Sequence, residues 1–564
     1  MDRREAIRTA LGEEAPDLVL KHARLVDVLT GTVYPADVAI RDGVIAGVGD
    51  YSGPAEVDLG GRYLAPGLIN AHCHVESSMA LPRAYCPEEL RWGVTTLITD
   101  PHEIANVCGG EGLRFLLDES EGLPINYYVQ LPSCVPATRF EHAGAVLSAR
   151  ELAPFLKEER VLGLGELMDY PGVAACDPAV LEKLDLFAGR IVDGHAPGLT
   201  GKGLQAYAAA GVRTDHESTT WEEARDKLRA GIAVLVREGS ASKNLTAILT
   251  GALREGVSTR EMAFCSDDKH LADIRREGTI RHNLRLAVAL GMDPVEAVAM
   301  GSLNAARIFR LPNLGAIAPG YRADLVVFED LRDFAVSAVY KDGRPVDADA
   351  LAADSGRQPG VGPVFRSVRP APLTAAALAL PDRAVQPVIE ILPGQILTRR
   401  GEVRREDIPS ELAAGTLRKI AVVERHHATG HVGVGLLRGY GLRHGAVGTT
   451  VAHDSHNLIL VGDNDRDLLT AAGELTRVQG GYTLVRDGRV LGTLSLPAAG
   501  LMSTLPAGTL TGELEKLLTL AREAGVADGI DPFVTLSFLA LPVLPELRLT
   551  DLGLFDVTAF RLVD

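Results

Sequence analysis

Gly67-Leu-Ile-Asn-Ala-His72, followed at once by Cys73 and His74, is the stretch on which the fold turns. An apolar run of strand length ends in two histidines spaced two apart. Alternate residues of a strand share a face, so both imidazoles can grip one ion where the strand bends at its end. Alone, such a pair is a weak sign, because two histidines also sit in turns as ordinary polar residues. Seven further apolar runs strengthen it: Val94–Asp100, Ile125–Leu131, Val161–Glu166, Ile191–His195, Val212–His216, Ala233–Glu238 and Met262–Asp267. Helical stretches separate them, which is the α/β pattern. Most runs end in a polar or ionisable residue. Eight parallel strands with functional groups at their C-terminal ends predict a (β/α)₈ TIM-like barrel. A doubly wound sheet alternates in the same way, but it does not so readily bring together six ligand-type residues from five strands.

Outside this middle, Asp17–Leu20, Ala23–Asp27 and Ala36–Gly49 are short alternating runs with glycine turns, a hairpin pattern. Ala323–Phe328 and Ala338–Val346 repeat it. Residues 1–64 and 316–354 are therefore expected to close one composite β-sandwich around a barrel at 65–315, with residues 1–16 opening as a short polar helix. Residues 355–372 turn Pro/Gly-rich and read as a linker. Residues 373–564 form an additional α+β region with strand, helix and histidine signals of its own.

The composition is that of a globular chain: 564 residues, 46% hydrophobic and 23% charged. A net charge of -17 argues against nucleic acid or an anionic membrane as the main partner, since both reward basic patches. Six cysteines without a C-x-x-C pair suggest reduced, mostly buried thiols. Residues from Met1 onward show no apolar leader, and Phe533–Leu544 is too short to span a bilayer. A cytoplasmic protein is the expectation.

His72, His74, Glu166, His195, His216 and Asp267 are the candidate metal ligands. Imidazole with carboxylate suits Zn²⁺, Mn²⁺ or Fe²⁺ rather than Cu⁺. Four histidines and two carboxylates exceed the needs of one ion, and fit two ions sharing a bridging carboxylate and water. Such ions would give hydroxide at neutral pH, with Asp267 accepting and passing on the proton. Asp268 is the less favoured alternative for that role. In the last region, His426, His427, His431, His453, Asp454 and His456 form a second cluster. Val451–Asn457 is expected to help close the substrate site.

Gly61-Arg-Tyr-Leu-Ala-Pro-Gly-Leu-Ile-Asn-Ala-His-Cys-His74 and Leu314-Gly-Ala-Ile-Ala-Pro-Gly-Tyr-Arg-Ala-Asp-Leu-Val326 resemble the amidohydrolase superfamily. Within it, several motifs look closest to the bacterial adenine deaminase family. They include Asp100-Pro-His-Glu-Ile-Ala-Asn-Val107, Gly163-Leu-Gly-Glu-Leu-Met-Asp169, Asp193-Gly-His-Ala-Pro197 and Cys265-Ser-Asp-Asp268. Glu424-Arg-His-His-Ala-Thr-Gly430 and Val451-Ala-His-Asp-Ser-His-Asn457 are similar to that family's C-terminal domain, so the resemblance covers nearly the whole chain. Glu166 stands where many superfamily relatives carry a carboxylated lysine. The resemblance implies hydrolysis of adenine to hypoxanthine and ammonia by a metal-bound hydroxide attacking C6. It implies two divalent ions, Mn²⁺ first with Fe²⁺ or Zn²⁺ compatible, and a homodimer or larger homo-oligomer. Glu76 is the first candidate to protonate N1, followed by His102 and Glu103. Arg237, Ser240, Asp268, His453 and Asp454 are the pocket candidates. A cyclic amide or acylated amino acid as substrate is the alternative, and a non-catalytic scaffold a remoter one.

Overall fold

The computed structural model describes residues 2–392 and 397–563; Met1, residues 393–396 and Asp564, included in the terminal readings above, lie outside it. The eight predicted runs are strands: Leu68–Cys73, Val94–Thr99, Asn126–Leu131, Val161–Leu167, Ile191–Gly194, Thr214–Asp215, Ala233–Arg237 and Met262–Cys265. The first five pair in parallel and in sequence order, and the last three do the same. The two sheets meet at both edges. The Asp267 amide donates to the His72 carbonyl at 3.0 Å, and the Arg213 amide to the Val192 carbonyl at 3.0 Å. Helices cover the outer faces, so the first, second and last strands are buried along their whole length. Burial on both faces explains why these strands read as nearly unbroken apolar runs. Ile69, Ala71, Ile98, Leu235 and Ala263 gather in a small core with Ala305 and Phe309.

Segments on either side of the eight strands, before and after them in the chain, contribute to one eight-stranded sheet. Leu18–Asp27, Thr32–Arg41, Val44–Gly49 and Tyr63–Pro66 join Leu325–Phe328 and Val336–Lys341, through antiparallel pairing of Tyr63–Pro66 with Leu325–Phe328. The expected two-layer sandwich is instead a single curled sheet. It wraps until the Ile45 amide donates to the Tyr321 carbonyl and the Ala323 amide to the Gly43 carbonyl, both at 2.8 Å. Leu20, Leu25, Val38, Ile40, Leu64, Leu325 and Val327 fill the enclosed core. Of the described residues 2–16, only Arg3–Ala10 are helical.

The C-terminal region holds a second eight-stranded sheet, from Val385–Ile391 to Arg489–Ser495. Strand periodicity divides its side chains between two layers. Along Leu417–Val423, Ala421 and Val423 pack under the helix Asp465–Val478, beside Leu468, Ala471 and Leu475. Ile420 and Val422 face the other way, into the main core with Phe533, Leu536 and Leu549. The Pro/Gly-rich 355–372 segment is no free linker. Val364 and Phe365 are buried against Leu81, Ile104, Leu501 and Met502, and so tie the C-terminal region to the first strands' loops. Among the described residues no helix is long and apolar enough to cross a membrane.

Candidate active site

The strand ends bring the six predicted ligands together. Asp193 accepts from His72 Nδ1 at 2.9 Å, and the Asp100 carbonyl accepts from His74 Nδ1 at 2.8 Å. In the neutral rings both Nε2 atoms then carry lone pairs. They face one another at 3.1 Å. Two lone pairs this close repel unless a cation lies against them. Glu166 Oε1 sits 3.0 Å from His72 Nε2 and 2.9 Å from His74 Nε2, with no hydrogen-bond donor of its own. Its other oxygen lies 2.8 Å from His195 Nδ1, and His216 Nε2 is 3.6 Å from Oε1. Asp267 Oδ1 is 3.3 Å from His74 Nε2. Two clusters thus share Glu166: one with His72, His74 and Asp267, the other with His195 and His216. A buried imidazole–carboxylate set of this kind fits divalent cations.

The electrostatics agree with that fit. Burial alone would raise the pKa of Glu166, but the surrounding histidines outweigh it and hold the carboxyl well below its ordinary range. Burial opposes charge on His72, yet the carboxylates of Asp193, which accepts from Nδ1, and of Glu166 beside Nε2 push it up to about 10. The site therefore calls for positive charge, which protons or metal ions can supply. His216 goes the other way: burial and the neighbouring His72 hold it well below its ordinary value, as a neutral ligand requires. Asp267 adopts φ 55, a left-handed conformation that aspartate tolerates better than most residues. It turns the carboxylate inward, where Arg237 Nη1 donates to Oδ2 at 2.9 Å.

A cavity opens beside this cluster: none of the six ligands lines it, but Glu76 and Asp268, close in sequence to His74 and Asp267, do. Its polar wall is made by Glu76, Glu103, Asp268, His270, His453 and His456, and its apolar wall by Met79, Tyr482, Leu501, Val534 and Phe538. The Val451–Asn457 loop supplies part of the wall through Val451, His453 and His456. Glu103, in the first turn of the helix His102–Glu119, pairs with both His453 and His456. Glu76 is buried, with the Ile104 amide donating to Oε1 at 3.2 Å. His102 stacks edge-on against His74, 4.7 Å between centroids, and is not on the cavity wall.

Some pocket candidates lie elsewhere. Arg237 is engaged by Asp267, Glu217 (Nη2 to Oε2, 3.0 Å) and Asn244 (2.8 Å). Ser240 donates to Asp273 at 2.5 Å and accepts from the His270 amide at 2.9 Å, behind the cavity wall that Ala241 and His270 form. Asp454 is buried beside the cavity rather than on its wall. Asp268, by contrast, is on the cavity wall, where it accepts from the Ser77 hydroxyl.

Sequence reasoning missed Asp193 as an orienting group, although it sits in the quoted Asp193-Gly-His motif. Such outer carboxylates fix the tautomer and direction of a ligand histidine. It also missed the segment Val534–Leu539, which was read only as too short for a membrane. That segment is a helix over the cavity.

Comparison with known proteins agrees with these features. Residues 63–346 match the amidohydrolase family, and residues 395–561 match the adenine deaminase C-terminal domain. Adenine deaminase 2 of Carboxydothermus hydrogenoformans is 47% identical over 99% of both chains. An adenine deaminase of Desulfitobacterium hafniense is 44% identical over 100% of this chain and 99% of its own. One from Nitratidesulfovibrio vulgaris is 48% identical over 99% of this chain and 97% of its own. This chain belongs to the adenine deaminase family.

Proposed function

We propose that the protein hydrolyses adenine to hypoxanthine and ammonia over the Glu166-centred floor. The full-length likeness to adenine deaminases carries the substrate assignment. The facing lone pairs of His72 and His74 support a metal centre. In this reading residues 65–315 close as a (β/α)₈ barrel. Residues 1–64 with 316–354 make the composite domain, and 373–564 the additional α+β domain. His72, His74, Glu166 and Asp267 would hold one divalent ion, and Glu166, His195 and His216 a second, with Mn²⁺ the first choice and Fe²⁺ or Zn²⁺ compatible. When bound, such ions supply Lewis acidity and make a water nucleophilic at neutral pH.

The chain's own groups handle the protons. Asp267 takes a proton from the water that attacks C6, and Arg237 keeps the carboxylate aimed at that water. Glu76 protonates N1 as the C6–O bond forms. Its place on the cavity wall suits this, and burial pushes it up to about 7, so it can hold a proton near neutrality. Asp267 then gives its proton to the amino group, the C6–N bond breaks and ammonia leaves. The C6 hydroxyl loses its proton as the carbonyl forms, and Glu76 returns to its acid form. Glu103 is unsuited to the donor's role: although burial favours its acid form, His453, His456 and His102 keep it a carboxylate.

The test is chromatographic. Metal-loaded protein incubated with adenine should yield hypoxanthine and ammonia one for one, and chelation should stop it. Folded, metal-loaded protein that leaves adenine intact would refute the proposal.

A further inference from the structure

Glu103, His453 and His456 join residues some 350 positions apart on the cavity wall. The hydrogen-bond network fixes what each ring can do. The Ala452 amide donates to His456 Nδ1 at 3.0 Å. An amide can only donate, so Nδ1 is bare and the proton of neutral His456 is on Nε2, which points at Glu103. His456 is thus fully used in holding the carboxylate. His453 is placed differently. Its Nδ1 meets the other Glu103 oxygen, its backbone amide donates to Ser537 Oγ at 2.9 Å, and its ring stacks on Phe538 with 5.6 Å between centroids and 21° between planes. Among the described residues Nε2 has no partner, and the ring lines the cavity beside Glu76 and Asp268.

We propose that His453 Nε2–H binds the substrate by donating to a purine ring nitrogen, N3 or N7, with Glu103 as the residue that positions the ring. This rests on adenine being the substrate. Free adenine offers N1, N3 and N7 as ring acceptors in its N9–H form, and N1 is taken by Glu76. His456 offers Glu103 only a neutral donor and His102 Nε2 stands off at 3.5 Å, so His453, in direct contact with the carboxylate, is held as a cation and its Nε2 is a donor. Burial opposes that charge, but Glu103 outweighs it and pushes His453 up to about 9. The catalytic barrel then depends on the C-terminal region for substrate recognition, not for its ligands.

The experiment uses the full-length, metal-loaded enzyme. Inhibition constants for 3-deazaadenine and 7-deazaadenine are compared in wild type, His453→Ala, His453→Gln and Glu103→Gln. In wild type, the analogue lacking the contacted nitrogen should bind about 10–100-fold more weakly than the other, as expected for a charge-assisted hydrogen bond. His453→Ala should raise KM for adenine by a similar factor, keep wild-type metal content and lose the discrimination. His453→Gln, which retains an N–H donor, should recover part of it, and Glu103→Gln should blur it. Equal binding of both analogues to wild type, or full discrimination by His453→Ala, overturns the assignment. Wild type that neither binds nor deaminates adenine would instead overturn the functional reading beneath it.

Discussion

The ligand floor and the cavity roof are built by different rules. The floor comes from the ends of parallel strands within residues 72–267, and two of its histidines have their direction set by groups outside the ligand set, His72 by Asp193 and His74 by the Asp100 carbonyl. The roof is assembled from far-apart pieces: Glu103 from the barrel, His453 and His456 from one loop, and Val534–Leu539 from near the end of the chain. Arg425 braces it. Its fully buried guanidinium donates to the carbonyls of His456, Ser367 (3.3 Å), Thr450 (3.5 Å) and Ala499 (3.0 Å). The difference teaches that chemistry and recognition are separable here. Damage to the floor should strike kcat and metal content, and damage to the roof should strike KM.

The largest effect should come from Asp267→Asn, which removes the proton acceptor. kcat should fall by about 1,000-fold or more, in the upper part of the range for general acid–base groups. Near-normal kcat in steady-state assays would break the assignment of floor to chemistry. Asp193→Ala should free the His72 ring and lower metal affinity or activity by about 10–100-fold, measured by metal titration of the apoprotein. Unchanged affinity would mean that Asp193 does not orient the ligand.

Arg425→Met leaves several buried carbonyls without donors, at about 1–3 kcal/mol for each one left unsatisfied. It should lower the melting temperature and raise KM for adenine while metal content stays normal. A fall in bound metal instead would show floor and roof to be coupled. The smallest effect should be that of His444→Ala, which lies in neither region. His444 bridges Asp463 (2.6 Å) and Asp487 (3.0 Å), whose hydrogen bonds raise its pKa above 6.5. A raised folded-state pKa contributes stability that is complete below the unfolded value and lost as pH rises through the folded one. Half-exposed and screened, the interaction should be worth no more than about 0.5 kcal/mol. Denaturation midpoints of variant and wild type should differ slightly at acid pH and converge at alkaline pH, with kinetics unchanged.

The same contrast explains what the sequence could reveal. Strand ends are local, so an apolar run closing on His195 or His216 announces both the element and the functional residue. The pairing of Glu103 with His453 crosses 350 positions and leaves no periodic trace. Phe538 read as an ordinary apolar residue because nothing local distinguishes a cavity wall from a core. Lys227 failed for another reason. Its helix Trp221–Arg229 has the charged composition of a solvated face, yet Lys227 is buried between Asp215 (2.5 Å) and Glu223 (3.1 Å). A charge is hidden where partners from another element meet it, and only tertiary structure supplies those partners. The single curl of the sheet that flanks the barrel escaped notice because hairpin patterns set pairing within a run but not the curvature of the whole.

The most direct test of the account is the metal content of Glu166→Ala, measured with its turnover by elemental analysis and kinetics on one preparation. If Glu166 bridges two ions, wild type should carry two per chain, and the variant should lose metal and activity together. A variant that keeps two ions per chain would contradict the shared-carboxylate floor on which the rest is built.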